Sequence, residues 1–571
     1  MRWILYIGWV VCVVAAVGTG AFAATPSDLE LIQQQQRQIQ QQNENRIRQL
    51  EQQRRQETPG GLDIKPLEVT PDAGEQSCTN IREIEIEGGE TLADEVRDVV
   101  TAFEGRCLNI TDLNNLLKKV TNLFVEAGYV TTRAYIPAQD TSDGLLRIEI
   151  IDGTINRFES GEEWDNRFEF LTAFPGLEGE KLNIRDLEQG LDQMNRLPSN
   201  NAKLNLVPGE KVGETVVRIE NNPSKPFRLA PGISNSGSES TGEQQIKFSG
   251  QLDNLFGVND FWSLDYSKSL HAGPGRGSRS FSGFLSVPYG YWTLSFSGDY
   301  FEYESEIEGS VQTFSSSGTS RSYKAEIERV VHRDAESKSS VAVYLRNKKN
   351  RNFIDDALLE TSSRELSIFG SRFSHSRRFY DGVLSGSLDY NRGLRLFGAL
   401  KDAPGIGEGP RAQFDKFEAS LNYYRPFSIL DENFSWSSNL VTQWSPDSLY
   451  STERISIGGQ STVRGFKESS LSGDVGGYLR NELIWQVPQT GIAELDHLLG
   501  RPSLFAAYDI GKIRSDNDDA FERGTLQGIA AGIRLNSGFA SGSLVFARPL
   551  SAPSFIETQS NEVYLDLKIN F

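Results

Sequence analysis

Cys78 and Cys107 are the residues of this sequence whose type and setting most directly predict a covalent chemistry. The third cysteine, Cys12, lies in an apolar leader, so the rest of the chain carries an even pair. In an exported chain an even pair reads as a disulfide. Closing a loop of about thirty residues, it would be worth roughly 3–4 kcal/mol in the chain-entropy account. Two cysteines alone make a poor metal site, and His271, His332, His375 and His497 are scattered, so no metal and no cofactor are assigned. The sequence has no G-x-S-x-G elbow, no H-E-x-x-H pair and no phosphate loop opening a helix, and it reads as a non-enzyme. Another residue that calls for a partner is Arg464, in Ser461-Thr462-Val463-Arg464-Gly465-Phe466, among Gly458-Gly459, Gly473 and Gly476-Gly477. A loop guanidinium is either simply solvated or held by a carboxylate, with which arginine forms a bidentate pair.

Composition limits what could position these residues. The chain has 571 residues and a formal charge of −19, with a pI near 4.9. That acidity argues against a nucleic-acid partner. With 38% hydrophobic residues and a mean hydropathy of −0.41, a helical multi-pass membrane protein is excluded. Yet Gly (53), Phe (32) and Tyr (18) are plentiful. Glycine and aromatics at modest hydropathy fit a membrane barrel, whose strands face lipid on one side and a polar lumen on the other. At the N-terminus, Arg2, the apolar run Trp3 to Val17 and Ala21-Phe22-Ala23 read as a secretory signal over residues 1–23, cleaved before Ala24.

Residues 24–57 are Gln- and Arg-rich, with Leu29, Ile32, Ile39, Ile47 and Leu50 as a sparse apolar stripe. The residue types favour helix, and so thin a stripe predicts a polar setting or a reversible docking. Thr58-Pro59-Gly60-Gly61 opens a linker over 58–76. Residues 77–153 read as β-α-α-β-β. The strand Ile81–Glu87 is followed by a helix Ala93–Phe103. A second helix, capped at Thr111, has Leu113, Leu116, Leu117, Val120, Leu123 and Phe124 on one face. Strands Tyr129–Pro137 and Leu145–Ile151 complete the unit. Residues 154–225 repeat the order with strand Thr154–Glu159, helices Glu163–Ala173 and Ile184–Arg196, and strands Ala202–Val207 and Glu214–Glu220. From 226 to 571 alternation takes over. Trp292, Leu294, Phe296, Gly298 and Tyr300 interleave with Thr293, Ser295, Ser297 and Asp299, and Val563, Leu565, Leu567, Ile569 and Phe571 interleave with Tyr564, Asp566, Lys568 and Asn570. At roughly twenty-one residues per strand and turn, this stretch holds about sixteen antiparallel strands. They must close into a transmembrane β-barrel, because an open edge in lipid leaves backbone groups unpaired.

Four stretches carry a resemblance that covers essentially the whole mature chain. They are Gly128-Tyr129-Val130-Thr131-Thr132-Arg133-Ala134-Tyr135, Gly190 to Ser199, Ser461 to Phe466, and the terminal strand ending at Phe571. In these the chain resembles the two-partner secretion transporters of the ShlB/FhaC/HecB family, outer-membrane barrels preceded by POTRA domains. The resemblance implies a location in the outer membrane of a Gram-negative bacterium, with two POTRA domains in the periplasm and a helix at 24–57 that plugs the pore. It implies type Vb secretion of a cognate exoprotein, unfolded and recognised through its N-terminal secretion domain; a haemolysin or adhesin is in the family's range. In the family, the loop arginine pairs with an acidic residue on the barrel wall. Here that points from Arg464, flanked by Val463, Gly465 and Phe466, to Asp509 in Phe505-Ala506-Ala507-Tyr508-Asp509-Ile510-Gly511, although Ala507 stands where the family pattern has an aromatic. Leu567, Ile569 and Phe571 match the signal read by the barrel-assembly machinery, and outer-membrane lipid would cover the outer face. A barrel-assembly factor or insertase of the same superfamily is the alternative. Such proteins carry more POTRA domains and no Gln-rich plug.

Overall fold

Alternating faces require a partner for each face, and the chain supplies it by closing on itself. The computed structural model describes residues 26–54, 66–69, 77–161, 167–270, 273–402, 409–489, 491–492, 494, 496, 499–514, 523–556, 558 and 561–571. The expected signal at 1–23, the ends of the 24–57 segment and most of the 58–76 linker lie outside the described residues, as do His271, His497 and residues 162–166.

Helix α1 spans Pro26–Arg54. The first small domain follows, with β1 (Thr79–Ile81), β2 (Glu83–Glu87), α2 (Ala93–Thr101), β3 (Arg106–Leu108), α3 (Ile110–Glu126), β4 (Arg133–Tyr135) and β5 (Leu145–Ile151). Its sheet runs β2-β5-β4, with β2 parallel and β4 antiparallel to β5. Leu116, Val120 and Phe124 of α3 pack on Leu146 and Ile148.

Three details differ from the sequence reading. The strand expected over 81–87 breaks at Arg82, whose N–H donates to Gly144 O. That frees β1 to pair with β3 beside the Cys78–Cys107 disulfide, Cα–Cα 5.3 Å. Asn109, not Thr111, caps α3: its side chain accepts the Asp112 N–H while the Asp112 carboxylate accepts its own. The strand expected over 129–137 shrinks to 133–135. Gly128 sits at φ +98° and Tyr129 N–H donates to Phe124 O, so the chain is still wrapping the helix end.

The second small domain has β6 (Thr154–Ser160), α4 (Arg167–Ala173), α5 (Ile184–Asn195), β7 (Lys203–Pro208) and β8 (Glu214–Glu220), in sheet order β6-β8-β7. The signature segment at Gly128 joins the two domains. Ile184 N–H donates to Gly128 O, and Val130 packs in the second domain's core with Leu187, Met194 and Val217.

Sixteen antiparallel strands then form a closed barrel from Phe227–Ser234 to Glu562–Ile569, each paired with its sequence neighbours. The seam pairs Asp566 with Ser234, Leu567 with Ile233 and Lys568 with Gly232, and Phe571 N–H reaches Leu229 O at 2.9 Å. Leu264, Phe281, Leu294 and Phe296 point outward, while Ser280, Ser282 and Ser286 are buried inside. Strands Trp292–Glu308, Thr313–Arg333 and Ser337–Ile354 have 17, 21 and 18 residues. A membrane strand needs ~10, so these extend past the bilayer on the side away from the small domains. At the near side α5 docks on the turns. Gln193 donates to Gly290 O at 2.9 Å, Arg333 pairs with Asp192 at 2.7 Å and Glu188 at 3.3 Å, and Ser199 N–H meets Asp253 at 2.8 Å.

Candidate functional site in the barrel lumen

The lumen is polar because every second strand residue faces it. It holds a cavity of about 2110 Å³ whose lining includes Ser280, Ser286, Asn391, Glu418, Arg480 and Arg534. Among the described residues, α1 and the loop between strands Glu432–Trp444 and Val475–Gln486 occupy the barrel interior.

Polar side chains hold most of α1. Gln36 donates to Ser316 Oγ, Gln40 to Asn352 Oδ1 and Arg46 to Ser282 Oγ, each at 3.0 Å, and Gln38 donates to the Glu468 carbonyl. Glu44 pairs with Lys348 at 2.8 Å and Arg48 with Glu418 at 3.6 Å, and Glu51 pairs with Arg346. Of the stripe, Ile32 is buried against Ile307, Phe314 and Ile354 near the far end of the barrel. The helix therefore runs along the lumen, its N-terminal part toward the far side and Glu51 toward the small domains.

The loop folds inward as a short hairpin, Ile455–Ile457 against Leu471–Gly473. Its tip brings Arg464 to Asp509. Nε lies 2.6 Å from Oδ2 and Nη2 2.7 Å from Oδ1, and the Arg464 N–H adds a bond of 3.2 Å. Nη1 meets Glu482 at 2.6 Å, and Glu482 also binds Arg534 at 2.8 Å. Arg464 is 2% exposed and Asp509 0%. Val463 and Phe466 enter an apolar cluster with Tyr478, Ile513 and Leu526. The wall makes room for the tip at two glycines. A Cβ at Gly511 would lie 2.9 Å from Val463 Cγ2, and one at Gly528 would lie 2.0 Å from the Arg464 carbonyl oxygen. Ala507 leaves no ring beside Asp509, but Phe505 on the same face supplies one, 5.7 Å from the Arg464 guanidinium and 4.0 Å from that of Arg534.

Sequence reasoning singled out Arg464 and Asp509 but missed Glu482, Arg480 and Arg534. Their signal was charge within membrane strands, at a spacing of two for Arg480 and Glu482 and alone for Arg534, which only a polar lumen tolerates. It also missed Lys348, which binds Glu44 of α1 and, at 3.0 Å, Glu453 of the loop. Burial opposes charge on Glu453, but Lys348 and Lys416 hold its carboxyl below the usual range. Leu567 and Ile569 are exposed on the outer face at the seam, and Phe571, also exposed, stands at the edge of the cavity.

Three family descriptions match the chain. Residues 213–535 match the haemolysin secretion/activation protein ShlB/FhaC/HecB, 79–153 the ShlB-type POTRA domain and 154–208 a POTRA domain. The outer membrane transporter CdiB of Dickeya dadantii (strain 3937) is 33% identical over 86% of this chain and 87% of its own. The hemolysin transporter protein ShlB of Serratia marcescens is 31% identical over 80% of each. The solved structure of CdiB from Escherichia coli is 33% identical, with a TM-score of 0.85 over 96% of this chain and all of that one.

Proposed function

The chain belongs to the haemolysin secretion/activation family of ShlB, FhaC and HecB, and from that membership we propose how its parts divide the work of export. It is an outer-membrane transporter of two-partner secretion, with its POTRA domains in the periplasm. Its relatives are secretion transporters, which favours this reading over an assembly factor.

In the proposed cycle the POTRA domains capture the N-terminal secretion domain of one unfolded exoprotein. An extended chain can satisfy its backbone there by adding a strand to a sheet edge. Helix α1 closes the lumen at rest and yields it to the client. Arg464 on Asp509 keeps the inward loop in its working position. Leu567, Ile569 and Phe571 serve assembly by the barrel machinery, and lipid covers the outer band. Folding of the client outside supplies the drive, and the protein catalyses no reaction.

The observation that carries this reading is the way α1 is held. Amide, hydroxyl and carboxylate contacts such as Gln36–Ser316 and Gln40–Asn352 are ones that another polypeptide can replace. The test is the culture-supernatant proteome of a deletion strain, complemented with wild type or with Arg464→Ala. One large secreted protein should vanish, return with wild type, and stay missing with a well-inserted Arg464→Ala barrel. An unchanged supernatant with depleted outer-membrane proteins would mean that the protein assembles barrels instead.

A further inference from the structure

The second POTRA domain presents two faces to the barrel. Its α5 looks into the pore, where Gln189, Asp192, Gln193 and Arg196 line the cavity. No described residue of α4 lines it, so α4 lies on the outer side of α5. Two neighbouring barrel turns grip α4. Asn259 Nδ2 donates to Glu169 O at 2.9 Å and to Thr172 Oγ1 at 3.0 Å, and Gly290 N–H donates to Thr172 O at 2.8 Å. Glu169 is buried against Asn254 of the first turn.

That grip fixes which side of α4 is left over. Phe168 and Leu171, three residues apart and so on one face, are 70% and 56% exposed. The turn at 254–259, which holds Glu169 and Thr172, exposes Leu255 and Phe256. Phe256 stacks edge-on against Trp262 with centroids 5.9 Å apart. Trp262 stands opposite Leu252 and two residues before the outward-facing Leu264, on the lipid face, and its indole N–H donates to Asp260 at 2.6 Å. An aromatic with an apolar body and a wet handle is what a bilayer interface selects. The other turns on this rim expose Tyr289, Tyr380 and Leu430 at the same boundary.

We propose that α4 rests on the periplasmic leaflet of the outer membrane, with Phe168 and Leu171 set among the phospholipid headgroups and upper chains, continuing the barrel's lipid-facing band. The second POTRA domain is then held at the rim from two sides, by turns and by lipid. Its pore-facing helix keeps a fixed tilt over the lumen. Isolated exposed apolar residues need no explanation, but a pair on a helix held by a turn of the apolar band does. The inference rests on the barrel's place in the membrane and not on which client it carries, so failure of the secretion test leaves it standing.

The test uses the full chain in vesicles of phosphatidylethanolamine and phosphatidylglycerol, with correct insertion checked by heat-modifiable migration. With Cys78 and Cys107 bonded to each other and Cys12→Ser as background, a single added thiol can be labelled with a polarity-sensitive fluorophore. Phe168→Cys and Leu171→Cys are compared with Leu264→Cys, in the lipid band, and with Val212→Cys. Val212 is 80% exposed in the hairpin at the domain's far end, next to Gly213, which packs near Asp152. Lipids spin-labelled near the headgroup should quench the labels at 168 and 171 at least two-fold, as at 264, and leave 212 unchanged. If 168 and 171 behave like 212 while 264 is quenched, the proposal is wrong. If they respond only to an added secretion-domain fragment of the exported partner, α4 is a client surface and the proposal is likewise wrong.

Discussion

Removing the Arg464 side chain should free the inward loop while leaving the barrel intact. The guanidinium makes three charge-assisted bonds of 2.6–2.7 Å, two to Asp509 and one to Glu482. Truncating one partner of a buried pair costs about 3–5 kcal/mol, because the other charge is left stranded. In the docked loop Asp509 would retain the backbone N–H of residue 464, at 3.2 Å, and Arg480, at 3.9 Å. What still holds the tip is the burial of Val463 and Phe466 and the Ile455–Ile457 hairpin. At about 1.4 kcal/mol per decade, the docked-to-free ratio should fall by roughly two to three and a half powers of ten. Hydrogen exchange of amides 461–466 in the full chain reads that opening directly. Arg464→Lys should lie between, since an ammonium keeps the charge without the fork. Asp509→Ala should match Arg464→Ala, and the double variant should cost clearly less than the sum. Exchange within a few-fold of wild type in Arg464→Ala would refute the claim that this pair holds the loop.

Lys348→Ala leaves Glu44 of α1 and Glu453 of the loop without their shared cation; resting conductance in planar bilayers should rise several-fold, and an unchanged conductance would mean that α1 is held elsewhere. Glu169, raised by burial from 4.5 to about 7, keeps its proton more tightly when α4 is docked on Asn254 than when it is free. Docking is therefore favoured below about 4.5 and loses that advantage as pH rises through about 7. Proteolysis of the α4 joint in wild type, taken relative to Glu169→Gln at each pH, should speed up across that window; a flat ratio would contradict it. Cys78 and Cys107 are 29 residues apart, so Cys78→Ser should cost the first POTRA domain about 3–4 kcal/mol. Its denaturant midpoint should drop and no longer respond to reductant, and an unmoved midpoint would show that the crosslink contributes nothing.

The barrel was legible because its signal is long and two-faced: Leu294 and Phe296 face out while their interleaved serines face in, and this persists strand after strand. The lumen's contents were not, because their partners are far apart in the chain. Gln40 meets Asn352 and Arg46 meets Ser282, and nothing local to residues 26–54 announces either contact. The thin stripe did say that α1 could not build a core, and Ile32 in a four-residue cluster agrees with that. Short-range errors came from competition for backbone groups. Asn109 outbid Thr111 for the cap through its reciprocal bond with Asp112, and Tyr129 was drawn into the end of α3 before a strand could begin. The segments that carried the family likeness lie at joints: Gly128 between POTRA domains, Gln193 and Ser199 on the barrel turns, Arg464 on the wall, Phe571 at the seam. Cores accept many apolar solutions, whereas a joint fixes specific donors and acceptors.

Two kinds of hold meet in the lumen, and their magnitudes imply an order of events. The neutral bonds of α1 to Ser316 and Asn352 are each worth about 0.5–1.5 kcal/mol net, and the bond from the charged Arg46 to Ser282 about 1.5–3 kcal/mol. A polypeptide or water entering the pore offers the same donors and acceptors, so their exchange costs little. The Arg464–Asp509 pair has no such substitute, since opening it strands a buried charge at about 3–5 kcal/mol. The helix should leave while the loop stays. Lys348 makes that separation affordable. It binds Glu44 at 2.8 Å and Glu453 at 3.0 Å, and Glu453 also binds Lys416 at 2.9 Å. When α1 departs, Glu44 goes with it into water, while Lys348 keeps Glu453 and is not orphaned. A wall cation paired with the plug alone resists the plug's exit, as Arg346 does through Glu51; at Lys348, sharing with the fixed loop lowers that barrier.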